Sequence, residues 1–91
     1  MATYKDLMET LIRREMGIVG KDKALAVARE AGLPVSEDGG IMRAGLGVGD
    51  LDRLVKAFGE RFGFVAVVGC KVALMRLARD SGLELPESLR V

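Results

Sequence analysis

An all-α, single-domain four-helix bundle is the fold this sequence predicts, and three observations predict it. Apolar residues recur at three- and four-residue spacing through four separate segments. Two of those segments end on the same Gly-Leu signal, at Gly32-Leu33 and Gly82-Leu83. The stretch without sustained helical period, Val35–Gly49, is crowded with glycine at 39, 40, 45, 47 and 49. At 91 residues the whole chain, 1–91, is the length of one helical domain.

The first helix opens at Thr3, whose hydroxyl is placed to accept from the amide of Asp6 while the Asp6 carboxylate reaches back, a short form of the capping box. Tyr4, Leu7, Met8, Leu11, Ile12 and Met16 form its apolar stripe, Lys5, Glu9, Arg13 and Arg14 lie outside it, and Gly17 is the expected stop. The second helix runs from about Lys21 to Ala31. Gly32 then stands where a left-handed residue closes a helix, and Leu33 is expected to fold back on Ala28 ahead of Pro34.

Val35–Gly49 is read as a connector between the second and third helices, a Gly-rich loop or tiny hairpin with Asp38-Gly39 as its turn and Val35–Glu37 and Ile41–Arg43 as its arms. Asp50 is the expected N-cap of the third helix, Leu51–Phe62, which carries Leu51, Leu54, Val55, Phe58 and Phe62 on one face and sets Asp52 four residues before Lys56. Gly63 breaks it. The valines after Phe64 also suit a strand, but the helical pattern continues to Ser81, which decides for a fourth helix. Gly82, Leu83 and Pro86 repeat the earlier stop, and Glu84–Val91 is read as a tail along the surface. The two stops extend into an internal echo: Ala28, Arg29, Gly32 and Leu33 match Ala78, Arg79, Gly82 and Leu83, as two helical hairpins in succession would.

The fourth helix carries the strongest signal. Ala66, Val67, Cys70, Ala73, Leu74, Leu77 and Ala78 make one apolar stripe, and Val65, Val68, Val72 and Met75 make a second, with polarity only from Lys71, Arg76, Arg79 and Asp80. A small domain has little interior in which to hide both. Mean hydropathy is positive at +0.23 although 30% of residues are charged, so the surplus of apolar side chains belongs to the chain as a whole. It points to association, or to a ligand-sized hollow.

The remaining composition narrows the function classes. Fourteen Lys and Arg against 13 Asp and Glu, with no block of like charge, imply no strongly electrostatic partner, so nucleic acid is not the expected one. Arg13, Arg14, Lys21, Lys23 and Arg29 keep a nucleic-acid-binding regulator as an alternative, although the acidic, helix-poor Glu37-Asp38-Gly39-Gly40 falls where a recognition helix would follow. Gly45-Leu46-Gly47-Val48-Gly49-Asp50 has the composition of a phosphate-binding loop, but Asp50 replaces the last glycine of GxGxxG and would repel the anion. The absence of histidine removes the commonest general base and zinc ligand; no metal site, no cofactor and no catalytic residue are expected, and the chain is not read as an enzyme. The single cysteine, Cys70, sits on the first stripe as a small hydrophobe and suits a reducing, cytoplasmic setting. The longest apolar run, Phe64–Val68, is far short of the ~20 residues of a membrane span, and no membrane partner is expected.

The expectation is a small cytoplasmic protein–protein interaction or oligomerisation module, a homodimer, with Val65, Val68, Val72 and Met75 as its contact residues. A sensor or carrier holding an apolar ligand between the third and fourth helices, near Phe58, Phe62 and Cys70, is the other alternative.

Overall fold

Thr3 opens α1 (Tyr4–Val19) in the way its side chain predicts. In the computed structural model, which describes residues 1–91, the Thr3 hydroxyl accepts from the Asp6 amide at 3.3 Å and the Asp6 carboxylate accepts the Thr3 amide at 2.8 Å. Leu7, Met8, Leu11 and Ile12 are buried along the inner face. Gly17 does not stop the helix. It lies on the exposed side with nothing within 4 Å of where a Cβ would stand, so it weakens α1 without ending it. The turn comes at Gly20, with φ at +98°, and α2 (Lys21–Glu30) follows at once.

The same construction repeats. α3 (Val48–Phe62) and α4 (Phe64–Asp80) are joined through Gly63 alone, at φ +89°. α1 packs chiefly on α2 and α3 chiefly on α4, and the two hairpins meet through α1 against α4 and α2 against α3. Both Gly-Leu stops close as predicted: Leu33 donates its amide to Ala28 O at 3.1 Å and Leu83 to Ala78 O at 2.9 Å, while Gly32 and Gly82 bond back to Arg29 and Arg79. This double bond pattern needs a left-handed residue at the glycine, where φ is +85° and +67°.

α3 begins three residues earlier than Asp50 predicts. Gly47, in extended backbone, is the N-cap, and Asp50 sits in the first turn and accepts the Gly47 amide at 2.8 Å. Glycine has no side chain with which to complete a capping box, so only its reciprocal half exists. That amide is the first reason the Asp50 carboxyl titrates low, with Arg43 and Arg53 adding to it at 2.8 and 2.5 Å.

The connector is docked onto α1. Val35 and Ile41 form one antiparallel bridge, and both are buried. Ile41 donates its amide to Glu9 Oε2 at 2.7 Å, Arg13 Nε donates to Asp38 O at 3.0 Å, and a Cβ on Gly39 would stand 3.0 Å from Arg13 Cγ and 3.1 Å from Met16 Sδ. The last residues also differ from a surface tail. Glu87–Leu89 make a single 3-10 turn against α3 and α4, capped where Asp52 Oδ1 accepts the Ser88 amide at 3.2 Å, and Leu89 is buried in the core. The core itself is one cluster that runs through all four helices, with Phe58 its largest member.

Candidate interaction surface

α4 divides along its length in the way its two stripes predict. Cys70, Leu74 and Ala78 are buried, and Ala66, Val67, Ala73 and Leu77 are partly covered beside them. On the other side Val65 is 83% exposed, Val72 70%, Met75 50% and Val68 37%. Phe64, at 67%, and Ile18 of α1, at 59%, lie in the same part of the molecule and were not among the residues expected there. Phe64 directly follows the Gly63 corner, before the periodic stripe begins. Ile18 follows Gly17, beyond the point at which α1 was expected to end. Together these six residues leave roughly 600 Å² in water, most of it apolar side chain, against roughly 300–600 Å² for the largest apolar patch on an ordinary monomer.

Ile18 and Val65 also form the rim of a hollow of about 320 Å³, lined further by Arg14, Glu15, Val19, Phe62 and Ala66. The hollow therefore lies between the last turns of α1 and the α3–α4 corner. Phe58 and Cys70, expected to border a ligand, are packed shut; of the three residues named for that role only Phe62 faces the space. Phe62 stacks on Phe58, with ring centroids 6.2 Å apart, so the hollow rests directly on the core.

Its polar wall is an unexpected one. Glu15 is 1% exposed and accepts from Arg14 Nη1 at 2.9 Å. Burial raises the Glu15 carboxyl above its ordinary range against the opposing pull of Arg14. The signal was present: Glu15 stands four residues after Leu11 and three after Ile12, on the buried stripe of α1. The Arg14 guanidinium lies on Gly69, where a Cβ would come within 2.5 Å of Nη2. The small-residue step Gly69 and Ala73, which would admit a second helix, thus has its glycine occupied by a side chain of α1. Cys70, one residue further, has its thiol pushed up to about 11, first by burial and then by the negative charge of Glu15.

Of the five basic residues named for a nucleic-acid face, three pair with acidic neighbours, Arg29 Nη2 donates to Val35 O at 3.4 Å, and Lys23 is exposed. Lys21 pairs with Glu37 at 2.9 Å, Arg13 reaches Glu9 at 4.0 Å and the Asp38 carbonyl, and Arg14 is held by Glu15. Glu37 and Asp38 titrate low for local reasons, Glu37 through Lys21 and Asp38 through the Ser36 hydroxyl and the Gly40 amide. No three His, Cys, Asp or Glu side chains come together as a metal-binding group. No helix is long and apolar enough to cross a membrane. Compared with known proteins, the chain matches no family model, no curated protein and no solved structure.

Proposed function

We propose that this protein is a small interaction module that works as a homodimer through the outer face of α4. One observation carries the reading: Val65, Val68, Val72 and Met75, with Phe64 beside them, are exposed in a single chain whose remaining large apolar side chains are mostly buried. At about 25 cal/mol per Å², covering such a face is a gain open to a second copy and not to the single chain. Two copies placed face to face would cover at most roughly 1,200 Å² in all, the lower bound of a standard specific interface, and two-fold dimers are the commonest assembly.

Light scattering or sedimentation equilibrium at tens of micromolar tests this. The expected mass is twice the 9.8 kDa of the chain. Val72→Asp, at an exposed position, should return the mass to one chain while the circular dichroism of the helices is kept. A single-chain mass for the natural sequence, or a Val72→Asp variant that still dimerises, would overturn the proposal.

The hollow beside Ile18 and Val65 supports a second reading, a carrier of a small apolar ligand, since its volume is at the low end of ligand sites. Native mass spectrometry of the freshly purified protein separates the two: a retained small molecule on a single chain supports the carrier. The nucleic-acid reading has less behind it: of Arg13, Arg14, Lys21, Lys23 and Arg29, the first three each have an acidic neighbour.

A further inference from the structure

The exposed stripe of α4 has an order that bears on how a second copy can lie on it. Val65, Val68, Val72 and Met75 are spaced three, four and three, the a, d, a, d series of a two-heptad seam. That series reads the same in both directions about a point midway between Val68 and Val72. Continuing it by one step reaches Arg79, another a position, with Arg76 at the flanking e position; no acidic residue stands at a, d, e or g between Val65 and Arg79.

Resting on the dimer reading above, we infer that the two copies pack their α4 helices antiparallel, with the two-fold axis at the level of residue 70. Val68 of each copy then meets Val72 of the other, and Val65 meets Met75. The long, flexible Met75 falls beside Phe64 and Val65, at the rim of the hollow, where a thioether against an aromatic ring makes a favourable contact. Each contact occurs twice, as a two-fold interface requires.

Charge decides against the parallel alternative. Parallel chains would set the Arg79 side chains of both copies at one level in the seam, with Arg76 at its edge and no carboxylate across from either. Asp80 is the neighbour of both arginines, and it holds them only at 3.9 Å. Antiparallel chains carry the two Arg76 residues about 18 Å apart along the helix axis and the two Arg79 residues further still. Lys71, at the g position on the other flank, comes nearly level with its counterpart in the other copy, and its Nζ donates to Val91 O at 2.5 Å.

Site-directed cross-linking tests the orientation. Val65→Cys and Met75→Cys change exposed positions, and Cys70 is buried with its thiol held protonated, so the natural sequence serves as the unreactive control. With a short bismaleimide, an equimolar mixture of the two variants should cross-link as the mixed pair, identified by intact mass, several-fold more than either variant with itself. The like positions would stand about 15 Å apart along the axis. Self-linking of Val65→Cys to the same extent as the mixed pair would mean parallel chains and overturn this inference while leaving the dimer intact. A dimer by light scattering that links in neither combination would place the contact off this face and remove both proposals. A monomer by light scattering would remove the dimer, and the orientation with it.

Discussion

α2 and α4 end alike and begin differently. Aligned on their Gly-Leu stops, Lys21–Glu30 stands against Lys71–Asp80, and the inward positions agree: Ala24 and Leu74 are buried, as are Ala28 and Ala78. Two other positions do not. Asp22 is matched by Val72, and buried Leu25 by half-exposed Met75. α4 is also longer, 17 residues against 10, and the seven extra residues at its start carry Phe64, Val65 and Val68. The inner face of α4 is thus an ordinary half of a hairpin, and what distinguishes the helix is an outer face, extended by two turns, that its own chain leaves open. Folding explains the first. The second is the face on which the proposed second copy would lie.

Charge placed at matched positions breaks the comparison most severely. Leu25→Asp puts a carboxylate where the side chain is 1% exposed, a change that costs several kcal/mol, roughly 3–5, and exhausts much of what a small domain has. The expected result is loss of the helical circular dichroism. Met75→Asp, ten residues from the start of the outer stripe, should leave the unfolding free energy within about 0.5 kcal/mol of the parent at low protein concentration, where association contributes nothing. Denaturant melts of the two variants decide it; comparable destabilisation would mean that Met75 is covered by its own chain.

How much of this was legible in the sequence follows from the range of each signal. The caps were readable because Thr3 with Asp6 and Gly32 with Leu33 act within a few residues of themselves. The two stripes of α4 were readable because periodicity fixes which side chains share a face. What covers a face is a tertiary fact. Gly17 carries a stop signal that packing of the buried stripe through Glu15 overrides, and nothing within the connector's own residues reveals that Glu9 and Arg13, far away in the chain, hold it. Leu89 was assigned to a tail since three residues of 3-10 turn leave no period to detect. In the patch, the stripe is legible in the period of α4 itself, Phe64 precedes that stripe, and Ile18 and the place of the hollow depend on α1 crossing α4.

The glycines sharpen the comparison at a smaller scale. Gly59 of α3 is where the extra turns of α4 come nearest, and a Cβ there would stand 2.8 Å from Val67 Cγ2. Val67 is β-branched and stiff, so Gly59→Ala should cost about 1–3 kcal/mol by overpacking, less the ~1 kcal/mol that alanine returns in helix propensity. Gly17→Ala meets nothing within 4 Å and should stabilise by about 0.5–1 kcal/mol. Opposite shifts in thermal midpoint are the expected outcome. A stabilised Gly59→Ala would mean that the α3–α4 contact yields readily.

A pH-dependent effect concerns the carboxylate beneath that extension. Glu15 has a folded-state carboxyl raised by burial, so it favours the fold fully below its unfolded value of about 4.3, and this contribution is lost as pH rises through the folded value. Asp50 and Asp52 behave in the reverse sense. Their carboxyls are lowered by the Gly47 amide and by Lys56 and Ser88, and the stability they supply is present above their unfolded value of about 3.9 and lost as pH falls through the folded one. Glu15→Gln keeps an oxygen to accept from Arg14 and removes the buried charge, and Arg14 retains access to water. At pH 7 the variant should therefore be more stable by about 1 kcal/mol in urea, and near pH 4 the advantage should vanish. A variant less stable than the parent at pH 7 would show that the Arg14 pair contributes more than the burial costs. α4 would then cover Glu15 because the ion pair suits that place, and not in spite of it.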